Sequence, residues 1–397
     1  MRFSVRAAFA GLLAGLVVPA LALPSLAADP EVLRQKVQAI ADAYVRDTAP
    51  GERATGISVS VSLPGGEMVN LGSGKVSAAA DAAPITPETL YQIGSVSKSF
   101  TAAALLQLQA EGKLDLDDTL GKWTPEYPAW KDVTIRRLLN MTSGIMGYDN
   151  APAMAETFQK LGMGRHFSPA VLVGFVDPTY PGAPKATEGY DYSNTNYILA
   201  GMVIERAGGM TVQEAFRTRF FGDRYGLTDS HYVEGVFPKD VTDRMASGYF
   251  VAAAMPELKA FETDDIKLAD MSWAGAAGGI VSSPAQVNLW VRALFAGDVL
   301  DAAGKAELTD VVSMKTGKTI GRASADDPHG FGLGVSGFSS AMGDGWTYEG
   351  ESMGFRVLYA YLPEKDLVAT IALNSGAEGE ADHANTVLVE ILKAAME

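Results

Sequence analysis

Apolar residues recur near the start of the chain at steps of four, three and four. Leu33, Val37, Ile40 and Tyr44 therefore share one face, and the spacing predicts a helix over residues 29–47. Residues 57–63 read Ile-Ser-Val-Ser-Val-Ser-Leu, a strict apolar–serine alternation that predicts a half-buried strand. Pro64-Gly65-Gly66 turns it, and residues 67–76 return as the second arm of a hairpin. The Ala- and Leu-rich run Thr101 to Glu111 predicts a helix closed by Gly112. Further helices are predicted over 196–207, ended by Gly208-Gly209, over 212–221 after Thr211, and over 284–295. Residues 356–362 and 367–373 are apolar runs joined by Pro363-Glu364-Lys365-Asp366, a strand hairpin, and residues 385–396 close as a helix. Strands at both ends with helices between them predict an α+β chain. Its two ends share one antiparallel sheet flanked by N- and C-terminal helices, around a mostly helical inserted subdomain. The sheet layer is expected from about 29–94 and 340–397, and the helical region from about 95–339.

The first 28 residues stand outside this pattern. Arg2 and Arg6 precede an apolar run from Ala7 to Leu23, followed by Pro24 and Ser25-Leu26-Ala27-Ala28. This predicts a signal peptide cut after Ala27 or Ala28, hence a periplasmic or secreted protein with no stable membrane anchor. A cysteine count of zero excludes disulfides, a thiol nucleophile and thiolate metal ligation. The net charge is −15, and loss of the leader's two arginines takes it to −17. Such a surface repels nucleic acid, and no basic patch with interleaved aromatics offsets it. His166, His231, His329 and His383 are scattered without ligand spacing, so neither a metal nor another cofactor is expected.

Chemistry concentrates around Gly94-Ser95-Val96-Ser97-Lys98. A serine at a helix start with a lysine one turn later places hydroxyl and amine on one face, where a neutral amine can take the hydroxyl's proton. About a hundred residues on, Tyr192-Ser193-Asn194 precedes a helix. A tyrosine beside an ammonium can relay protons, and an asparagine amide can hold the lysine and a substrate carbonyl together. Before the last hairpin comes Trp346 to Phe355, where Gly350 allows an extended substrate to approach a strand edge.

The order Ser95-x-x-Lys98, Tyr192-x-Asn194 and a glycine-ended triplet before the last hairpin resembles the serine β-lactamase and penicillin-binding protein superfamily. Within it the chain looks most like the branch of class C β-lactamases, D-alanyl-D-alanine carboxypeptidases, D-aminopeptidases and esterases. Leu138-Leu139 to Ser143-Gly144, Ala277-Gly278-Gly279 and Gly332-Leu333-Gly334 support the match, which spans about residues 30–395. The resemblance implies a β-lactamase/transpeptidase-like fold acting on a small-molecule or peptide substrate. It implies Ser95 as acylated nucleophile, Lys98 as its base or proton shuttle, and Tyr192 as base or acid. It also implies Asn194 as a positioning group, and an oxyanion hole from the N–H groups of Ser95 and Glu351.

The third box departs from the family's K-T-G or H-x-G, because it reads Tyr348-Glu349-Gly350. The cation that holds a substrate carboxylate is missing, with Glu349 and Glu351 beside it. Arg356 on the next strand is the candidate replacement if its side chain faces the cleft. D-amino acid peptides, amides and small esters are therefore expected as substrates. A D-alanyl-D-alanine carboxypeptidase or β-lactamase, and a non-catalytic sensor on the same fold, remain the alternatives. Two other motifs compete. Lys315-Thr316-Gly317 spells K-T-G but lies too early. Gly350-Glu351-Ser352-Met353-Gly354 spells G-x-S-x-G, with Asp366 and His383 following, but runs into a strand rather than a helix.

Overall fold

The computed structural model describes residues 29–178, 188–252, 256–263, 265–377 and 382–397. The leader lies outside the described residues. Among these residues no helix is long and apolar enough to cross a membrane.

Among the described residues twelve strands form two sheets. The large sheet holds β1 (Gly56–Ser62), β2 (Met68–Gly74), β6 (Val311–Ser313), β7 (Thr319–Gly321), β8 (His329–Phe331), β9 (Ser336–Ser340), β10 (Gly343–Ser352), β11 (Phe355–Leu362) and β12 (Leu367–Leu373). A small sheet holds β3 (Tyr91–Gln92), β4 (His231–Tyr232) and β5 (Ile280–Ser282). The large sheet runs β2-β1-β12-β11-β10-β9-β8-β6-β7 and is antiparallel, with Ile57 opposite Leu373. It reaches back to Val311, further than the sequence pattern indicated. Strands of three residues such as β6, β7 and β8 are too short to show a period.

Helix α1 (Pro30–Asp47) and the C-terminal helix Ala384–Met396 cover one face of the sheet. Asp29 caps α1 by accepting the Glu31 N–H at 2.9 Å. Helix Pro284–Phe295 packs on the other face, helix α2 (Lys98–Ala110) packs behind it, and helix Asn194–Gly208 packs against α2. There Phe100 stacks on Trp290 with ring centroids 3.7 Å apart, and the Trp290 indole donates to Ser99 Oγ at 2.8 Å. Because both faces are covered, β1 is buried along its whole length rather than half-buried. Its serines meet polar partners instead of water. Ser58 Oγ lies 2.9 Å from the Tyr91 hydroxyl, Ser60 Oγ accepts from Asn288 Nδ2 at 2.8 Å, and Ser62 Oγ accepts from Arg292 Nε at 2.6 Å.

On the α1 face, Arg356 of β11 is fully buried and pairs with Glu52 and Asp382. Its Nε donates to the Ser375 carbonyl at 3.1 Å, and the Tyr44 hydroxyl donates to Glu52 Oε2 at 2.9 Å. Removing Glu52 leaves the buried Arg356 with Asp382 as its remaining carboxylate partner and takes the acceptor from the Tyr44 hydroxyl. Glu52→Ala is expected to cost about 3–5 kcal/mol of stability. Urea unfolding checks this. The folded fraction should keep kcat/KM within about threefold of the parent, since the cluster lies across the sheet from Ser95 and makes no contact there.

Candidate active site

Ser95 sits in the tight turn Gly94–Ser97 that feeds α2, at the foot of the sheet. Gly94 has φ +49°, a conformation that favours glycine. The turn is held against β10. A Cβ placed on Gly94 would fall 2.3 Å from the Glu351 carbonyl oxygen and 2.6 Å from its nitrogen. A Cβ on Gly350 would fall 1.9 Å from the Ile93 carbonyl oxygen and 3.0 Å from Val96 N. Two glycines facing each other let the strand and the Ser95 turn approach at backbone distance.

Lys98 is fully buried, and its three N–H donors find three acceptors. Nζ lies 2.9 Å from Ser95 Oγ, 2.7 Å from Asn194 Oδ1 and 2.8 Å from the Ala277 carbonyl oxygen. It also stands 4.9 Å from the Tyr192 ring centroid and 5.4 Å from that of Tyr197. Burial lowers its pKa to about 7, with Asp149 pushing the other way. The Tyr192 hydroxyl donates to Ser95 Oγ at 2.7 Å. Burial raises the Tyr192 pKa, which its hydrogen bonds with Ser95 and Tyr348 partly oppose. Near neutral pH the amine therefore gives up its proton far more readily than the phenol. Of the two roles open to Tyr192, the protonated donor fits these surroundings.

Tyr348 is buried, and its hydroxyl donates to the Tyr192 hydroxyl at 3.3 Å. Phe331 braces this wall edge-on, with centroids 6.3 Å from Tyr192 and 5.8 Å from Tyr348. Glu351 brings its backbone against Gly94, next to Ser95, but its side chain leaves by the opposite face. It pairs across the strands with Arg356, and carboxylate oxygens of Glu349, Glu351 and Asp382 lie within 4.8 Å of one another. The two glutamates thus line the far face and not the cleft.

Arg356 does not stand in for the missing cation. Directly opposite Glu351 in the ladder, it points to the α1 face and is held by Glu52 and Asp382. The competing motifs fare no better. Ser352 ends β10 at a turn into strand β11, Asp366 is bound to Arg292, and His383 Nδ1 lies 2.9 Å from Glu52 Oε1. No strand-to-helix elbow forms. Lys315-Thr316-Gly317 occupies the β6–β7 turn, where a Cβ on Gly317 would meet Tyr190 N at 2.5 Å.

Two groups of the site escaped the sequence reading. The Ala277 carbonyl is backbone and carries no side-chain signal. Asp149 lies in the short turn Tyr148–Asn150 and hydrogen-bonds to Asn194.

A model of the beta-lactamase family matches residues 33–393. Penicillin-binding protein 4* of Bacillus subtilis is 26% identical over 247 residues, which are 60% of this chain and 52% of that protein. The chain thus spans about half the length of that relative. Among solved structures, D-amino acid amidase from Ochrobactrum anthropi SV3 is 25% identical with a TM-score of 0.73, covering 91% of this chain and 98% of that one. A beta-lactamase/D-alanine carboxypeptidase from Pseudomonas syringae shares the fold at 19% identity and a TM-score of 0.68, covering 91% and 98%. The match runs through nearly all the described fold, from α1 to the C-terminal helix, and the chain belongs to the beta-lactamase family.

Proposed function

We propose that this chain is an exported serine hydrolase that works through an acyl-enzyme on Ser95. The observation that carries this reading is one constellation: Lys98 Nζ at 2.9 Å and the Tyr192 hydroxyl at 2.7 Å, both on Ser95 Oγ. In acylation, the neutral Lys98 amine takes the Ser95 proton while Oγ attacks the substrate carbonyl carbon. The oxyanion lies against the Ser95 and Glu351 N–H groups. Collapse of the intermediate breaks the bond to the leaving amine or alcohol, which takes a proton through Tyr192 and Lys98. Water then hydrolyses the ester by the same groups in reverse. The free amine is required, so kcat/KM should rise with pH through about 7, where Lys98 loses its proton. The intact set argues against a purely binding protein. Export rests on the leader-like first 28 residues.

The substrate class follows from the third box. Tyr348 offers one hydroxyl, and that hydroxyl is turned to Tyr192. Arg356 is committed across the sheet. Without a cation, recognition of a substrate carboxylate loses about 1.5–3 kcal/mol, roughly ten- to a hundredfold. We assign amides and esters of small D-amino acids as the preferred substrates, in keeping with the amidase neighbour, which has been solved with D-phenylalanine. A matched pair tests this, a D-alanyl peptide as free acid and as its terminal amide. The amide should give the higher kcat/KM by about tenfold. Preference for the free acid restores the carboxypeptidase reading.

A further inference from the structure

Asp149 is 3% exposed, and its carboxylate accepts a hydrogen bond from the Asn194 side chain. Asn194 in turn gives its amide oxygen to Lys98 Nζ at 2.7 Å. An amide has one accepting end and one donating end. With its NH2 held by Asp149, its oxygen must face Lys98. The flipped amide would set donor against donor and leave a carboxylate facing a carbonyl. The turn bearing Asp149 is itself pinned to the helix bearing Asn194. The Tyr148 N–H donates to Thr195 Oγ1 at 2.9 Å, and Thr195 Oγ1 donates to the Met146 carbonyl at 2.7 Å. Asp149 Oδ1 is buried without a hydrogen-bond partner among the described residues. Such a group is costly to keep unless its position serves something.

We propose that Asp149 is the positioning residue of this site: it fixes the Asn194 amide toward Lys98 and supplies the counter-charge for the ammonium that forms when Lys98 takes the Ser95 proton. The inference rests on the serine-hydrolase reading and extends it to a residue outside the family's three boxes. The groups facing Lys98 are the Ser95 and Tyr192 hydroxyls, the Tyr192 and Tyr197 rings, the Asn194 amide and the Ala277 carbonyl. All of these are neutral in the protonated-phenol state. Asp149 is the acid that acts on Lys98 through space. Around Asp149 itself stand Tyr148, Tyr192, Asn194 and Lys98. Burial pushes its carboxyl up, while Asn194 and Lys98 pull it down. An ionised Asp149 raises the Lys98 pKa and stabilises the ammonium state.

The sign of the expected change follows. Asp149→Asn removes the charge, so Lys98 should deprotonate at lower pH and the acid limb of the profile should move down by about one pH unit. The plateau should fall about tenfold, because the ammonium formed in acylation loses its partner. Asp149→Glu keeps the charge but displaces the contact. It should lower the plateau and leave the acid limb in place. The measurement is the rate at which a fluorophosphonate labels Ser95, read by intact mass from pH 5 to 9, beside kcat/KM for a D-alanyl amide. Circular dichroism confirms that each variant is folded. A shifted limb in Asp149→Asn with an unshifted one in Asp149→Glu supports the proposal. A parent chain that never labels at Ser95 overturns the underlying hydrolase reading and this inference with it. Labelling in the parent with superimposable profiles in both variants overturns the inference alone. Should Asp149→Asn not fold, Asp149→Glu decides the matter. Its lowered plateau with a fixed limb supports the proposal, and an unchanged plateau defeats it.

Discussion

Ser95→Ala should lower kcat/KM by roughly 10,000-fold or more and abolish the mass increment left by a fluorophosphonate. Removing Oγ removes the atom on which Lys98 and Tyr192 both converge. The fold should survive. Ser95 lies in a turn anchored by neighbouring backbone contacts, with the Val96 N–H donating to Ile93 at 3.2 Å. Deleting one hydroxyl leaves those contacts in place. The parallel variant Ser352→Ala should keep activity and labelling. Loss of the adduct in Ser352→Ala, with full activity in Ser95→Ala, would transfer the nucleophile to the β10–β11 turn and defeat the whole reading.

The second large effect involves no functional side chain. Gly350→Ala is expected to reduce kcat/KM about a hundredfold. The added methyl would lie 1.9 Å from the Ile93 carbonyl oxygen, so β10 must withdraw from the turn that carries Ser95. The Glu351 N–H withdraws with it. A displacement on the order of 1 Å at an oxyanion donor suffices for that loss. The decrease should appear mainly in kcat, since the strand's N–H is the proposed donor to the developing oxyanion. Gly164→Ala is the control, because nothing stands within 4 Å of the added methyl. A Gly350→Ala enzyme with parental kcat would show that β10 takes no part in the chemistry.

Much of this molecule could be read from periodicity. α1 follows the Leu33-Val37-Tyr44 stripe, and Gly209 ends its helix in a left-handed conformation with φ +67°. Ser95 and Lys98 were visible because i and i+3 share a face whatever surrounds them. Arg356 was not, because alternation says that neighbours differ in face without saying which face is inner. Only the pairing of Arg356 with Glu351 and Leu373 settles that. β1 misled for a related reason. Alternating serines look solvated until Asn288 and Arg292 arrive from more than two hundred residues away. Asp149 left no mark at all. A three-residue turn has no period, and its partner Asn194 is far off in the chain.

The pairing of Ile57 with Leu373 also bears on how the protein is made. β1 lies between β2, which follows it at once, and β12, which arrives more than three hundred residues later. A ribosome or a translocation channel delivering this chain from its N-terminus releases β1 and β2 as a lone hairpin, which is marginal in water. The inner edge of β1 stays open until nearly the whole polypeptide has emerged. Contacts of such long range make closure slow and keep the early hairpin exposed to other chains. Under the proposed export, in which the chain is threaded unfolded, a fold that cannot close early keeps it competent for threading.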